Sequence, residues 1–182
     1  MFLSVKWAKR WLPAVFLLLS LFLPWWTFVS GHMGIHGYMS FPWSATVSVF
    51  QETESIWGQF LIPYNRIPYM LFVSSSIVLA GLCGLADKSR VRTIGGLLGI
   101  VGVISYFILV FPKSIGVFYN LPWKGNPYFG ISYGSYIFRT GKTFYYTDIW
   151  FLSAGFYLAL AGSLMLLLPL IRTLIERLRK RL

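Results

Sequence analysis

His32 and His36, four residues apart, are the first residues whose type and spacing suggest chemistry. Positions i and i+4 share one face of a helix, and two imidazoles so placed can hold zinc or copper. Gly31, Gly34 and Gly37 surround them, however, and favour an irregular or extended path over a helix. Glu52 and Glu54 are the only acids in that stretch, so no third ligand cluster completes a metal site. The expectation is no metal, haem or other cofactor, with His32 and His36 as the candidates for the least favoured reading, a metal- or haem-dependent membrane enzyme.

Glu52 and Glu54 would point the same way on a strand, but no activating base accompanies them, and they read as solvated surface. Cys83 is the single cysteine, which excludes an internal disulfide and the paired-thiol relays of membrane oxidoreductases. No catalytic residue is assigned, and the reading leans away from an enzyme.

The elements that position these residues follow from composition. The chain has 182 residues, of which 57% are hydrophobic, 19% aromatic and 12% charged, with a mean hydropathy of +0.66. That is too apolar for a water-soluble domain. Four stretches approach the roughly 20 residues needed to cross a hydrocarbon core: residues 12–29, 67–86, 93–111 and 149–171. The first follows Lys6, Lys9 and Arg10 as a secretory signal would, but no small-residue cleavage site comes next, so it reads as a retained helix. No Asp, Glu, Lys, Arg or His lies deep in any of the four, which argues against proton relays and ion pathways.

The net charge of +11 would suggest nucleic acid in a soluble protein. Its distribution suggests a membrane instead. Lys6, Lys9, Arg10, Lys88, Arg90, Arg92, Arg172, Arg177, Arg179, Lys180 and Arg181 fall on one side of the spans; Arg66, Lys113, Lys124, Arg139 and Lys142 fall on the other. The positive-inside rule then places both termini in the cytoplasm and the segments 30–66 and 112–148 outside, in a cytoplasmic or plasma membrane. Residues 172–182 form a basic cytoplasmic helix facing an anionic inner leaflet. No nucleic-acid partner is expected.

Small residues recur at helical spacing as Ser76, Ala80 and Gly84, as Gly95 and Gly99, and as Gly155, Ala159 and Ser163. Such stripes let helix backbones approach closely where lipid removes the hydrophobic drive. The outer segments are rich in aromatics and must bury or present them. Arg139 to Lys142 reads as a hairpin loop with Gly141 at a positive φ, and residues 44–50 alternate as a further strand. A lone hairpin is marginal, so the two outer segments are expected to join in one small extracytoplasmic β-sheet. Trp43, Trp57, Trp123, Tyr136, Phe138, Phe144 and Tyr146 are the candidate interaction residues.

The fold class is thus an α-helical integral membrane protein, a bundle of four transmembrane helices with an outer sheet. That layout, with Trp43, then Ile56-Trp57-Gly58, then Arg66 opening the second span, resembles the claudin and peripheral-myelin-protein group of tetraspan proteins, although that group's paired loop cysteines are absent. The resemblance implies architecture: cytoplasmic termini and a sheet built from both outer loops. The functional expectation is a non-enzymatic scaffold, accessory subunit or interaction protein whose aromatic sheet engages a membrane or cell-surface protein or a second copy. The alternative is a transporter or binder of a lipid or apolar small molecule.

Overall fold

In a computed structural model, residues 2–30, 36–50, 60–61, 67–110, 129–137 and 141–180 are described. The apolar runs form helices α1 (Phe2–Ser20), α2 (Ile67–Gly84), α3 (Ser89–Ser105) and α4 (Ala154–Arg179). A π-helical turn over Tyr106–Val110 extends α3. Among the described residues there are six strands: β1 (Trp26–Ser30), β2 (His36–Phe41), β3 (Ser44–Phe50), β4 (Phe60–Leu61), β5 (Gly130–Ile137) and β6 (Thr143–Leu152).

Among the described residues three helices are long and apolar enough to cross a membrane: α2, α3 with its continuation to Ile108, and α4. The apolar part of α1, Trp11–Ser20, is shorter. At 1.5 Å per residue it reaches about 15 Å, roughly half a hydrocarbon core. The expected first span over residues 12–29 is therefore corrected: the helix stops at Ser20, and Trp26–Ser30 is strand. The expected fourth span is corrected at its N-terminal end, because residues 149–152 close β6 and α4 begins at Ala154. Asp148 accordingly lies in β6, and Ser153 takes the N-cap position.

The two misread segments pair with each other. Trp26 lies opposite Leu152, Thr27 opposite Phe151, Phe28 opposite Trp150 and Val29 opposite Ile149. Short apolar runs carry the same hydropathy as strand or helix. Here aromatic and β-branched residues favour the strand, and Pro24 lacks the donor that would continue α1.

The sheet is antiparallel throughout, in the order β4-β3-β2-β1-β6-β5. Strand β1 sits between β2 and β6, so one sheet joins the chain before α2 to the chain before α4. The expected strand over residues 44–50 is β3. Gly141, at φ +76°, lies in the β5–β6 connection, where a positive φ lets the chain reverse.

Helix packing relies on missing side chains. A Cβ at Gly95 would stand 2.9 Å from the Ala80 carbonyl oxygen, and one at Gly96 would stand 3.0 Å from that of Ser163. Helix α3 thus backs onto α2 through Gly95 and Gly102, and onto α4 through Gly96 and Gly99. Helix α1 closes the arrangement against α2 at Gly84 and against α4 at Gly162. Gly95→Val is expected to destabilise the fold by about 1–3 kcal/mol through overpacking against backbone, whereas Ile94→Val on the exposed side should stay within about 0.5 kcal/mol. Thermal unfolding in detergent checks both.

Candidate interaction surface

The end of α1 sets the geometry on which the sheet stands. A helix C-terminus leaves carbonyls without intrahelical donors, and here they are surrounded by apolar side chains. Each finds a partner. Ser20 Oγ donates to the Leu17 carbonyl at 2.6 Å, and the amides of Leu21 and Phe22 donate to Leu18 and Leu19 at 3.3 and 3.0 Å. The Trp25 indole N–H donates to the Ser20 carbonyl at 2.8 Å, and that of Trp43 donates to the Leu21 carbonyl at 2.6 Å. Two indoles thereby cap a helix that no backbone continues.

Trp25 also holds the sheet to the bundle. Its amide donates to the Ser40 carbonyl in β2 at 2.8 Å, and its carbonyl accepts from the Ser153 amide at 2.9 Å. The Pro24 carbonyl accepts from the Gly155 amide at 2.9 Å, so backbone rather than a side chain satisfies the start of α4. A Cβ on Gly155 would lie 2.5 Å from the Leu23 carbonyl oxygen and 2.6 Å from the Trp25 ring, which is why glycine stands there. The fully buried Trp25 ring meets Tyr106 edge-on at 4.8 Å and Phe156 at 5.9 Å. The Tyr106 hydroxyl donates to Ser40 Oγ at 3.0 Å, and Thr27 and Ser153 share a hydroxyl bond of 2.6 Å.

Above this junction the β5–β6 hairpin presents one face to solvent. Ile131 pairs with Ile149 and Tyr133 with Thr147, while Ser135 pairs with Tyr145. These positions alternate with the inward ones, and Phe129, Ile131, Tyr133, Tyr145, Ile149 and Phe151 are all exposed, Tyr133 to 74% and Tyr145 to 79%. From Phe151 to Tyr145 the strip rises about 20 Å along β6. On the inward side Trp150 folds over Gly130, its partner across the ladder, leaving no room for a Cβ there. Among the described residues no strand pairs with the outer edge of β5.

The candidate residues distribute as follows. Trp43 lies in the turn between β2 and β3, stacked on Phe41 at 5.1 Å and bonded back to α1, while part of its ring remains exposed. Tyr136 is paired with Phe144 and Tyr146 with Gly134, positions that alternate with the exposed ones. Trp57, Trp123, Phe138 and His32 lie outside the described residues. His36 opens β2 opposite Ser30, and among the described residues no three His, Cys, Asp or Glu side chains gather as a metal site. Sequence reasoning singled out neither Tyr133 nor Tyr145; the two-residue period counted outward from Gly141 is the signal that separates them from their neighbours.

One cavity of about 220 Å³ opens beside the junction, lined by Trp43, Ile67, Met70, Leu71 and Ser74. No family model matches the chain, and no curated protein matches it.

Trp25→Phe keeps a ring in the core but leaves the Ser20 carbonyl without its donor. The expected cost is about 1–3 kcal/mol, read as a lower midpoint of thermal unfolding. Trp43→Phe, whose bond is only partly buried, should cost less.

Proposed function

We propose that this chain is a non-enzymatic integral membrane protein that binds another membrane or cell-surface protein, or a second copy of itself, through the exposed face of its β5–β6 hairpin. The observation that carries this reading is the contiguous strip Phe129, Ile131, Tyr133, Tyr145, Ile149 and Phe151. Contiguous apolar patches are uncommon on the solvent face of a monomer, and tyrosine and phenylalanine are enriched in interface cores because a rigid ring buries much area at small entropic cost.

In this reading α2, α3 and α4 cross the bilayer and α1 enters it as a fourth, shorter element. The basic residues near Lys88, Arg90 and Arg172 then mark the cytoplasmic side, and the sheet stands outside. The architecture is that of the claudin and peripheral-myelin-protein group. Support comes from the β1–β6 pairing, which joins both outer segments in one sheet. Helix α4 runs unbroken past Pro169 to Arg179, so its basic end continues the span toward an anionic inner leaflet. The second reading, binding of a lipid or apolar small molecule, is favoured by the cavity beside Ser74.

A photo-crosslinking side chain at Tyr145 or Tyr133 tests the leading reading in native membranes. A discrete protein adduct is expected at both positions, of twice the chain's mass for self-association and of another mass for a different partner. The same group at Leu82, exposed on α2, should give no protein adduct of that mass. Absence of protein adducts at both hairpin positions contradicts the proposal.

A further inference from the structure

An open antiparallel sheet ends in two edges, and each edge strand turns half of its backbone N–H and C=O groups away from the sheet. The two edges here are unlike. Strand β4, at one end of the order, has only two residues, a length that offers little to a further strand. Strand β5, at the other end, runs for eight residues. Its ladder with β6 keeps one register from Gly130 opposite Trp150 to Ile137 opposite Thr143, whereas the β2–β3 ladder shifts between Gly37 and Tyr38 and again between Met39 and Phe41. Among the described residues no strand pairs with the outer side of β5.

Sheets protect such an edge with a lysine, a proline or a bulge. Strand β5, Gly-Ile-Ser-Tyr-Gly-Ser-Tyr-Ile, has none of the three. The group that fits its outer backbone is another extended strand, held by main-chain hydrogen bonds. Charge then selects which strand. The net charge of +11 opposes the approach of a second copy in general, but β5 laid against its own copy sets no charge opposite another. Antiparallel pairing of β5 with itself is isologous. With one long edge per copy among the described residues, it closes at two copies instead of growing into a fibre. The registers that overlap most of the strand centre on Tyr133 or Gly134, and they set Tyr133 opposite Tyr133 or Ser135 of the second copy. Ile131, Tyr133 and Ser135 are all exposed and free to meet there.

We infer that two copies of this chain join through β5, antiparallel and edge to edge, so that their sheets become one continuous sheet. A second copy is then the partner of the hairpin surface, and the inference rests on the reading of that hairpin as the place of interaction.

The full chain with Cys83→Ser, which removes its single cysteine, receives one new cysteine on the exposed face of the hairpin and is treated in native membranes with a bismaleimide that spans about 8 Å, the diagonal distance across a strand pair. Tyr133→Cys is expected to give a covalent dimer of twice the chain's 20.9 kDa, because in either register the two thiols lie opposite or one diagonal apart. Thr147→Cys, exposed on β6 opposite Tyr133, is the reference: about three strand spacings, roughly 14 Å, separate it from its copy, and it should link at least fivefold less. No dimer at Tyr133→Cys overturns the inference. Equal linking at the two positions also overturns it, since copies meeting face to face would bring both thiols together. A photo-crosslinking side chain at Tyr145 separates the failures. If it still yields an adduct of another mass, only the second copy is lost as partner; if neither Tyr145 nor Tyr133 yields a protein adduct, the reading of the hairpin as an interaction surface fails as well.

Discussion

A helix that ends among apolar side chains must place its last carbonyls somewhere, and this fold is arranged around that requirement. Helix α1 stops at Ser20, and the indoles of Trp25 and Trp43 donate to the carbonyls of Ser20 and Leu21. Bringing both rings to one helix end fixes where the chain must go next. Trp25 has to turn back over α1 immediately after Pro24, and Trp43 has to return from the far side of β2. The β1–β2 pairing and the turn that carries Trp43 are the shortest way to do both.

The same step serves α4. Carbonyls of Pro24 and Trp25 accept from the amides of Gly155 and Ser153, so the unmet donors of one helix start answer the free acceptors of the chain that has just left another helix. Sheet and bundle are therefore joined by backbone rather than resting on each other. With β1 pinned at its base, β6 takes the neighbouring place and carries β5 to the edge of the sheet. The junction thus orients the exposed hairpin face.

Much of this was legible in the sequence. The small-residue stripes are where α3 meets its neighbours: Gly95 faces Ala80, and Gly99 faces Ser163. Gly141 and the alternation over residues 44–50 announced the hairpin and β3 because positive φ and period-two patterning are local properties. The ends of the first and fourth spans were not legible. Residues 26–29 and 149–152 satisfy a hydropathy window equally as helix or as strand, and only their pairing, across more than a hundred residues of chain, decides between them. The roles of the tryptophans were hidden for the same reason. Aromatic-belt logic treats Trp25 and Trp26 alike as interface anchors, but the donor that Ser20 receives and the tether between Trp43 and Leu21 exist only once the strands return. The choice between Tyr145 and Tyr146 turns on a single-residue register, which composition does not carry.

The central claim is that two indole N–H groups close the end of α1 in place of water. Hydrogen–deuterium exchange at the indole N–H of Trp25 and Trp43, followed by nitrogen-15 NMR in nanodiscs with each signal assigned by substitution, tests it most directly. The account predicts both protons exchanging far more slowly than a solvent-exposed indole, Trp25 the slower of the two because its ring is fully buried. Exchange at both sites as fast as in free tryptophan would show that water reaches the end of α1 and would contradict the account.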